Sequence, residues 1–372
     1  MNQSPLLLLA SCIVWLCACQ PSQQSSTSEP KADAYSEAAD SLRYPQETHL
    51  RNVRQLTFGG DNAEAYFSFD DQSLVLQRTQ PSAGIPCDQI YVGKIPQSSE
   101  ESFDMKLIST GTGRTTCSYF MPGDKEIIFA STHLASEDCP PTPDRSVIKR
   151  YVWPIYSSFE IFVSDLQGNI LRQLTDNDSY DAEATLSPQG DKIVFTSTRD
   201  GDLDLYTMNI DGSDIQRITT GLGYDGGAFF SPDGNKLIFR SSRPQTEEEK
   251  EDYRNLLAQD LVAPTNMELY VCNVDGSDLR QIAKLGKANW APFFHPSGEK
   301  IIFSSNHSSE SGRLFNLYMI NVDGSGLEQI THDDEFDAFP MFSYDGKKLV
   351  FASNRNNGGT RETNVFIADW VE

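Results

Sequence analysis

Hydrophobic and turn-forming residues recur in a fixed order along this chain, six times between Phe67 and the C-terminus. In each repeat a hydrophobic residue precedes a turn of the Ser-Pro-Asp-Gly kind, and a short apolar run ending in small polar residues follows it. An internal period of this kind predicts a repeat architecture. The turns are FSFDD (67–71), FMPGD (120–124), LSPQG (186–190), FSPDG (230–234), FHPSG (294–298) and FSYDG (342–346), and the apolar runs are LVLQR (74–78), IIFAS (127–131), IVFTS (193–197), LIFRS (237–241), IIFSS (301–305) and LVFAS (349–353).

Each repeat is long enough for four short strands, as the separation between the turns at Ser187 and Ser231 shows. One strand precedes the turn and the apolar run after it forms the second. A third strand ends in an Asp-Gly pair, which is a strong hairpin signal, and a shorter fourth strand follows. Third strands lie in 204–212, 268–276 and 316–324, and fourth strands in 216–219, 280–283 and 328–331. Repeats of this length and content are typical of the blades of a β-propeller.

The two ends of the repeat region complete each other. The last repeat supplies only three strands, ending with NVFIADW (364–370), whereas RQLT (54–57) stands before the first turn and duplicates RQLT (172–175). We expect the N-terminal strand to pair with the last blade, because closure removes an exposed sheet edge. The pattern therefore predicts an all-β fold in which residues 51–372 form one six-bladed β-propeller.

The repeats also resemble a known family. FSPDG (230–234), LIFRSSR (237–243) and ELYVCNVDGSDLRQI (268–282) are similar to the WD40-like Pro-Asp (PD40) repeat of the TolB propeller family. The resemblance covers the predicted propeller and implies its fold. It implies less about function, because similar repeats occur in adaptors, in propellers fused to serine peptidases and in some polysaccharide lyases. TolB carries an α/β domain before its propeller, and we expect this chain to lack it.

The N-terminus has the pattern of a bacterial lipoprotein signal peptide, residues 1–18. Residues 5–18 are almost wholly apolar but too short to span a bilayer comfortably, and Leu16-Cys17-Ala18-Cys19 resembles a lipobox. Cys19 would then become the lipid-modified N-terminus. An ordinary cleaved signal or a membrane stub is the alternative, because no Lys or Arg stands near Met1. Gln20, which is not the Asp that retains lipoproteins in the inner membrane, favours the outer membrane, with the protein facing the periplasm or the cell surface.

Composition and charge restrict the partners. Residues 19–50 are rich in Ser, Gln, Glu and Pro and predict a disordered tether between anchor and propeller. Fifty-three acidic and thirty basic residues leave a net charge of −23, which disfavours nucleic acid and anionic headgroups. We therefore expect membrane contact through the N-terminal lipid alone, and cationic or neutral ligands.

Four cysteines follow Cys19 in the exported chain. Cys87, Cys117 and Cys139 fall at strand ends or in a long loop of the first two blades, on one predicted face. Export favours a disulfide of Cys87 with Cys139 or Cys117 over a metal site, because no His or Cys pair has zinc spacing. Cys272 lies within a predicted strand and reads as a buried thiol.

Two long inserts decorate the face that also carries the connections between blades. The insert in blade two (133–159) contains Tyr151, Trp153 and Tyr156, which are candidates for a ligand surface, although such aromatics also serve to pack a loop onto its scaffold. The insert in blade four (244–266) predicts a helix, because Thr246 and Glu249 form a capping-box pattern.

Comparison of equivalent positions in the six blades predicts structural ion pairs. Where the innermost strand begins with Asp, an Arg follows the second strand, and antiparallel pairing places the two side by side. Glu64 and Glu183 lie two residues further along the inner strand without a partner in this scheme, and His133 and His307 take the Arg position in two blades. A divalent cation at this channel mouth is the alternative to the pairs. The predicted pairs are Asp181 with Arg199, Asp225 with Arg243, and Asp337 with Arg355.

No catalytic motif or cofactor fingerprint is recognisable, and no cofactor is predicted. The chain has no Gly-x-Ser-x-Gly elbow, no His-Glu-x-x-His and no Walker loop. We therefore expect a non-catalytic, lipid-anchored envelope protein that binds a protein or peptide on its loop-decorated face. The alternative is a glycan- or peptide-processing enzyme, or its substrate-binding partner, with a site at the channel mouth that uses Glu64, Glu183, His133 and His307.

Overall fold

The computed structural model describes residues 40–98 and 100–372, which fold into a six-bladed β-propeller. The predicted signal peptide, Cys19 and the first part of the predicted tether lie outside these residues. Each blade is a four-stranded antiparallel sheet. Within the described residues, no helix has the length and apolar character needed to cross a membrane.

The first three blades follow the chain in order, with their innermost strand first. Blade one is β2 (Asp61–Phe67), β3 (Ser73–Gln80), β4 (Ile85–Lys94) and β5 (Met105–Leu107); blade two is β6 (Thr115–Phe120), β7 (Glu126–Ser131), β9 (Glu160–Asp165) and β10 (Ile170–Gln173); blade three is β11 (Asp181–Leu186), β12 (Lys192–Ser197), β13 (Asp204–Asn209) and β14 (Gln216–Arg217).

The remaining blades repeat the pattern, except that the last one takes its outer strand from the N-terminus. Blade four is β15 (Asp225–Phe230), β16 (Lys236–Ser241), β18 (Glu268–Asn273) and β19 (Arg280–Gln281); blade five is β20 (Asn289–Phe294), β21 (Lys300–Ser305), β22 (Asn316–Asn321) and β23 (Glu328–Gln329); blade six is β24 (Asp337–Phe342), β25 (Lys348–Ser353), β26 (Asn364–Trp370) and β1 (Leu50–Gln55).

The apolar runs after the turns form the second strand of every blade, and in blades two to six they are buried on both faces. A strand sandwiched between neighbouring sheets has no solvent face, which explains why these runs are continuous rather than alternating. Their central position is a large apolar residue with no exposed surface in each blade. These residues are Leu76, Phe129, Phe195, Phe239, Phe303 and Phe351.

The ring closes as predicted, because β1 pairs antiparallel with β26. Leu50 lies opposite Trp370, and Gln55 lies opposite Phe366. Leu50 and Val53 are buried in the apolar cluster that these aromatic rings help to form. The N-terminal strand therefore supplies both backbone hydrogen bonds and core side chains to the last blade.

The predicted tether is wrong for residues 40–50. This segment packs against blade six, where Tyr44 contacts Asp333 and the fully buried Glu47 accepts two hydrogen bonds from Arg355. Low hydrophobicity predicted disorder, but the segment is ordered by a buried carboxylate that meets a buried guanidinium and by Leu42 and Leu50, which pack in the apolar cluster of blade six.

The two inserts meet each other over the mouth of the ring. The helix α1 (Glu247–Leu257) begins at Thr246 with a complete capping box. The short strands β8 (Trp153–Pro154) and β17 (Leu261–Val262) pair antiparallel, and Arg150 donates two hydrogen bonds of 2.7 Å to Asp252 of α1. We call the joined inserts, residues 133–159 and 244–266, the insert cap.

A disulfide ties the insert cap to blade one. Cys87 of β4 bonds to Cys139, and Cys117 and Cys272 are free. The alternative pairing that used Cys117 is therefore wrong. Cys117 lies on the innermost strand of blade two, where it faces the central cavity rather than the loops.

Candidate functional site

A cavity of about 1390 Å³ occupies the centre of the ring on the face that carries the insert cap. Its walls come from the innermost strands of all six blades and from the insert cap. Tyr66 and Phe229 line its deep end, with ring centroids 5.6 Å apart. Below them Tyr119 and Phe293 pack against Phe229, at 6.2 and 5.1 Å. This aromatic layer forms the floor of the cavity.

The cavity wall contains a ring of six equivalent residues, one from each blade. Each lies at an irregularity in the pairing of the first two strands and has a positive φ. A β-bulge re-aims a side chain, and a left-handed backbone costs energy for any residue but glycine. All six residues line the cavity. This bulge ring consists of Glu64 (φ 51), Cys117 (φ 46), Glu183 (φ 60), Gly227 (φ 59), Ala291 (φ 47) and Phe339 (φ 54).

The bulge ring is chemically two-sided. Blades one to three contribute Glu64, Cys117 and Glu183, whereas blades five and six contribute Ala291 and Phe339. Above the apolar side stands an aromatic wall that lines the cavity and consists of Trp153, Trp290, Phe315 and Phe336. Their consecutive ring centroids are 5.2, 4.4 and 5.6 Å apart.

Glu183 and Arg240 form a buried ion pair between blades three and four. The Glu183 carboxylate also accepts hydrogen bonds from the Thr196 hydroxyl at 2.7 Å, the Tyr224 hydroxyl at 2.7 Å and the Gly227 amide at 2.8 Å. Burial alone would raise the pKa of Glu183, but Arg240 and these hydroxyl donors hold it below its usual value. The same charge raises the pKa of the Arg240 guanidinium. Both groups are therefore ionised in the folded protein.

Glycine at the bulge of blade four makes this pair sterically feasible. A Cβ on Gly227 would overlap the Arg240 guanidinium, and one on Gly226 would overlap the Glu183 carboxylate. Arg240 reaches the cavity past this strand and lies over the rings of Trp153 and Tyr224, at 5.3 and 5.0 Å. The insert cap is thus connected to the charged pair.

The expectation that Glu183 has no ionic partner is wrong, and sequence comparison missed Arg240. Its partner comes from the neighbouring blade, so the within-blade register could not reveal it. The available signal was the residue type, because the other blades place uncharged side chains at the Arg240 position. Those side chains are Gln77, Ala130, Thr196, Ser304 and Ala352.

Glu64 occupies the same bulge position as Glu183 but has a different environment. The neighbouring Cys117 thiol opposes the rise of its pKa, while its Oε2 is buried without a hydrogen-bond partner among the described residues. Burial raises the pKa of Glu64 to about 7; the thiol and Arg240 oppose the shift, and Glu183 adds to it. Glu64 is therefore divided between its neutral and ionised forms near neutral pH.

The aromatic candidates of the insert cap line the cavity and also pack. Tyr151 is 46% exposed and accepts a hydrogen bond of 2.9 Å from the Trp153 indole. Tyr156 donates to the Pro141 carbonyl at 2.7 Å. Trp153 is half-buried against Trp290 and Arg240. Tyr151 is therefore the best displayed of the three.

His133 and His307 do not line the cavity. Each bonds through Nδ1 to a serine hydroxyl at 2.9 Å, Ser131 and Ser305 respectively, and packs on an aromatic ring of its own blade. Burial lowers the pKa of both imidazoles. Their assignment to the channel-mouth site is wrong, because their strand position directs them over the blade, as it does the equivalent arginines.

The three predicted Asp–Arg pairs form ion pairs, each within its own blade. Arg199 Nη2 lies 2.9 and 2.8 Å from the two carboxylate oxygens of Asp181. Arg243 lies 2.6 Å from Asp225, and Arg355 lies 2.9 Å from Asp337. Each guanidinium also lies over an aromatic ring of its blade, at 5.1 to 5.3 Å. These clamps join the first strand of the blade to the loop after its second strand.

Metal ligands are not brought together in the part of the chain that the structure describes. Across residues 40–98 and 100–372, no three His, Cys, Asp or Glu side chains are placed so that they could hold one ion. Among the charged groups that line the cavity, Glu183 pairs with Arg240 and Asp88 pairs with Arg114, while Glu64 lies near the Cys117 thiol.

Comparison with known families gives a match over more than half of the chain. The PD40 family pattern, described as the TolB beta propeller domain, matches residues 155–255 and 254–361. The chain belongs to the TolB β-propeller (PD40) family. A comparison with curated proteins gives no match.

Two solved TolB structures share the fold at low sequence identity. A protein assigned as TolB from Agrobacterium tumefaciens superposes with a TM-score of 0.54 and 19% identity, covering 84% of this chain and 91% of that one. TolB from Acinetobacter baumannii gives 0.51 and 16%, with 83% and 63% covered. An oligogalacturonate lyase from Vibrio parahaemolyticus gives 0.49 and 13%, with 87% and 94% covered.

Proposed function

We propose that this PD40 propeller is a non-catalytic binding protein of the bacterial cell envelope that holds a peptide segment of a partner protein in its central cavity. The observation that carries the proposal is the two-sided cavity on the loop-decorated face, with an aromatic wall on one side and charged bulge-ring residues on the other. Concave sites with apolar walls and a few fixed polar groups are typical ligand sites.

The shape of the site suits an extended peptide chain as the ligand better than a flat surface of a folded protein. The cavity is lined both by the insert cap and by the inner strands down to Tyr66 and Phe229, so we expect a ligand to enter end-on or as a loop. The aromatic wall offers flat surfaces for apolar side chains, and exposed rim charges such as Arg145, Arg313 and Glu335 can pair with ligand charges. A peptide segment carries both kinds of group.

An array of acetylated random peptides tests this function. We expect the purified propeller to bind a subset, and Tyr151→Ala to weaken that binding by about fivefold or more through loss of a displayed aromatic contact. Leu171→Ala is the matched control, because Leu171 is 45% exposed on β10, away from the cavity, against 46% for Tyr151. Absence of peptide binding, or equal loss in both variants, contradicts the proposal.

The anchoring and location form part of the same proposal. Residues 1–18 would direct export, and lipid on Cys19 would hold the propeller at the outer membrane, facing the periplasm or the surface. Cys19→Ser should abolish lipid labelling and release the protein from washed membranes. Retention of the variant on membranes after a high-salt wash contradicts the lipobox assignment.

One observation favours a second candidate, an enzyme that processes glycans or peptides. Glu64 lines the cavity with a pKa raised to about 7, which suits a general acid or base. Turnover of oligosaccharides or peptides that is abolished by Glu64→Gln would support this function over simple binding. Binding without turnover in the same assay supports the first proposal.

A further inference from the structure

The deep end of the cavity holds one carboxylate that the protein itself leaves incompletely satisfied. Glu183 has an ionic partner and three further donors, whereas Glu64 lies near the Cys117 thiol and has no ionic partner among the described residues. Oε2 of Glu64 is buried and lacks a hydrogen-bond partner among the described residues. Buried polar atoms in native proteins are nearly always paired, and because the partly exposed Glu64 side chain lines the cavity, a ligand that donates hydrogen bonds can satisfy this carboxylate.

From this contrast we propose that the deep end of the cavity is a subsite for an organic cation, a primary amine or guanidinium, and that Glu64 is its carboxylate partner. The inference rests on the proposed function, because a lysine or arginine side chain of the bound peptide would supply that group. Ion pairing with a guanidinium or ammonium satisfies a carboxylate with charge-assisted hydrogen bonds.

The remainder of the subsite suits an alkyl stem more than a metal ion. In the order of the blades, Glu64 stands between Cys117 and Phe339, and Ala291 lies one blade further on. Hard divalent cations need several oxygen ligands, and within the described residues no set of three such side chains occurs. The methylene stem of a lysine or arginine can instead lie along the apolar half of the ring.

The charge balance at the deep end agrees with this assignment. Glu183 and Arg240 cancel each other, so ionised Glu64 leaves one net negative charge on the bulge ring. The charged and titratable groups around Glu64 are Cys117 from β6, Glu183 from β11, Arg240 from β16 and Asp88 from β4, with Tyr66 on its own strand, and Asp88 is itself paired with Arg114 of the cavity wall at 2.6 Å. Arg240 and Arg114 each have a carboxylate partner, so a bound cation would balance the remaining charge, that of Glu64.

The subsite should also respond to pH. Because burial raises the pKa of Glu64 to about 7, the carboxyl is mostly neutral at pH 6 and mostly ionised at pH 8. A cation binds the ionised form, so its affinity should rise about tenfold over this interval, with release of a proton. An uncharged ligand of the same shape should show no such rise.

The test uses two small probes of nearly equal shape, n-butylguanidinium and the neutral n-butylurea, titrated by NMR. We expect the intact protein to prefer n-butylguanidinium at least tenfold at pH 8 and to lose most of that preference at pH 6. Glu64→Gln should abolish the preference at both pH values. Glu335→Gln removes the same charge from an exposed position at the mouth, and this variant should retain the preference for n-butylguanidinium.

Each outcome decides between the assignments. Equal binding of the two probes, or a preference that survives in Glu64→Gln, overturns the subsite. If Glu335→Gln loses the preference to the same extent as Glu64→Gln, the preference comes from the overall negative charge of the protein, and the role of Glu64 is overturned. A preference that depends on Glu64 without any peptide binding on the array contradicts the proposed function but leaves the cation subsite standing.

Discussion

Blades three and six carry the same Asp–Arg clamp in different electrostatic surroundings. In blade three, Arg199 meets Asp181 alone, and the neutral Asn177 donates to the same carboxylate at 2.6 Å. In blade six, Arg355 lies among Glu47, Asp333 and Asp337, and its side chain is 2% exposed, against 21% for Arg199. The N-terminal segment thus turns a blade-internal clamp into the joint that fastens the chain end to the ring.

The comparison shows that equivalent positions need not have equivalent energies. A pair with one partly exposed member is partly screened by water, whereas removal of one member of a fully buried group leaves charges without compensation. We therefore expect blade six to be sensitive to changes that blade three tolerates.

Removal of the closing strand should have the largest effect. Deletion of residues 51–58 takes away most of β1, which leaves β26 with unpaired backbone groups and opens the apolar cluster around Trp370. We expect no cooperative thermal unfolding transition in circular dichroism. Deletion of residues 22–29, in the predicted tether, is the length-matched control, and an unchanged melting temperature in the 51–58 deletion would show that β1 is dispensable.

Loss of the buried guanidinium in blade six should rank second. Arg355→Met leaves Glu47, Asp333 and Asp337 without their common cation and should lower the free energy of unfolding by about 3–5 kcal/mol. Arg199→Met, the same change in blade three, should cost clearly less, because Asn177 still donates to Asp181. Urea unfolding of both variants measures the difference. Equal losses of unfolding free energy would contradict the expectation that blade six is the more sensitive blade.

The clamp of blade three should show moderate coupling in a double-mutant cycle. Asp181→Asn and Arg199→Gln should each lower stability, and the double variant should lose less than the sum, with a coupling of about 0.5–3 kcal/mol. Asn62 and Gln80 hold the same positions in blade one without charge and serve as the control pair. Coupling near zero in blade three, together with metal-dependent stability, would favour the cation-site alternative over a clamp.

The smallest effect should come from making blade six resemble blade three. Burial and the neighbouring Asp337 raise the pKa of Asp333 to about 6, so the stability linked to its protonation is present below the unfolded pKa near 4 and is lost as the pH rises through 6. Asp333→Asn copies Asn177 and does not titrate. Between pH 5 and pH 8, the free energy of unfolding of this variant should therefore rise relative to that of the wild type by about 1 kcal/mol. Urea unfolding at the two pH values measures this change, and a difference independent of pH contradicts it.

Inside the cavity, Glu64 and Glu183 likewise occupy equivalent positions in different electrostatic surroundings. Both residues stand two positions after the equivalent residues Asn62 and Asp181 of their inner strands, and both have a left-handed backbone. Their partners differ because Gly227 admits Arg240 next to Glu183, whereas the blade beside Glu64 presents Cys117. The strand register within each blade predicted the position of both carboxylates, but it did not predict which of them has an ionic partner.

The sequence by itself determined the repeat, the number of blades, the closing strand and the Asp–Arg clamps. These features depend on strand periodicity, turn chemistry and pairing between strands of one blade, all of which are local or nearly local in the chain. Only the tertiary structure decided that Arg240 neutralises Glu183, that β8 pairs with β17, and that Glu47 is buried against Arg355. Those contacts join residues far apart in sequence whose distance depends on the closed ring, and no pattern of residue types along the chain encodes which of them meet.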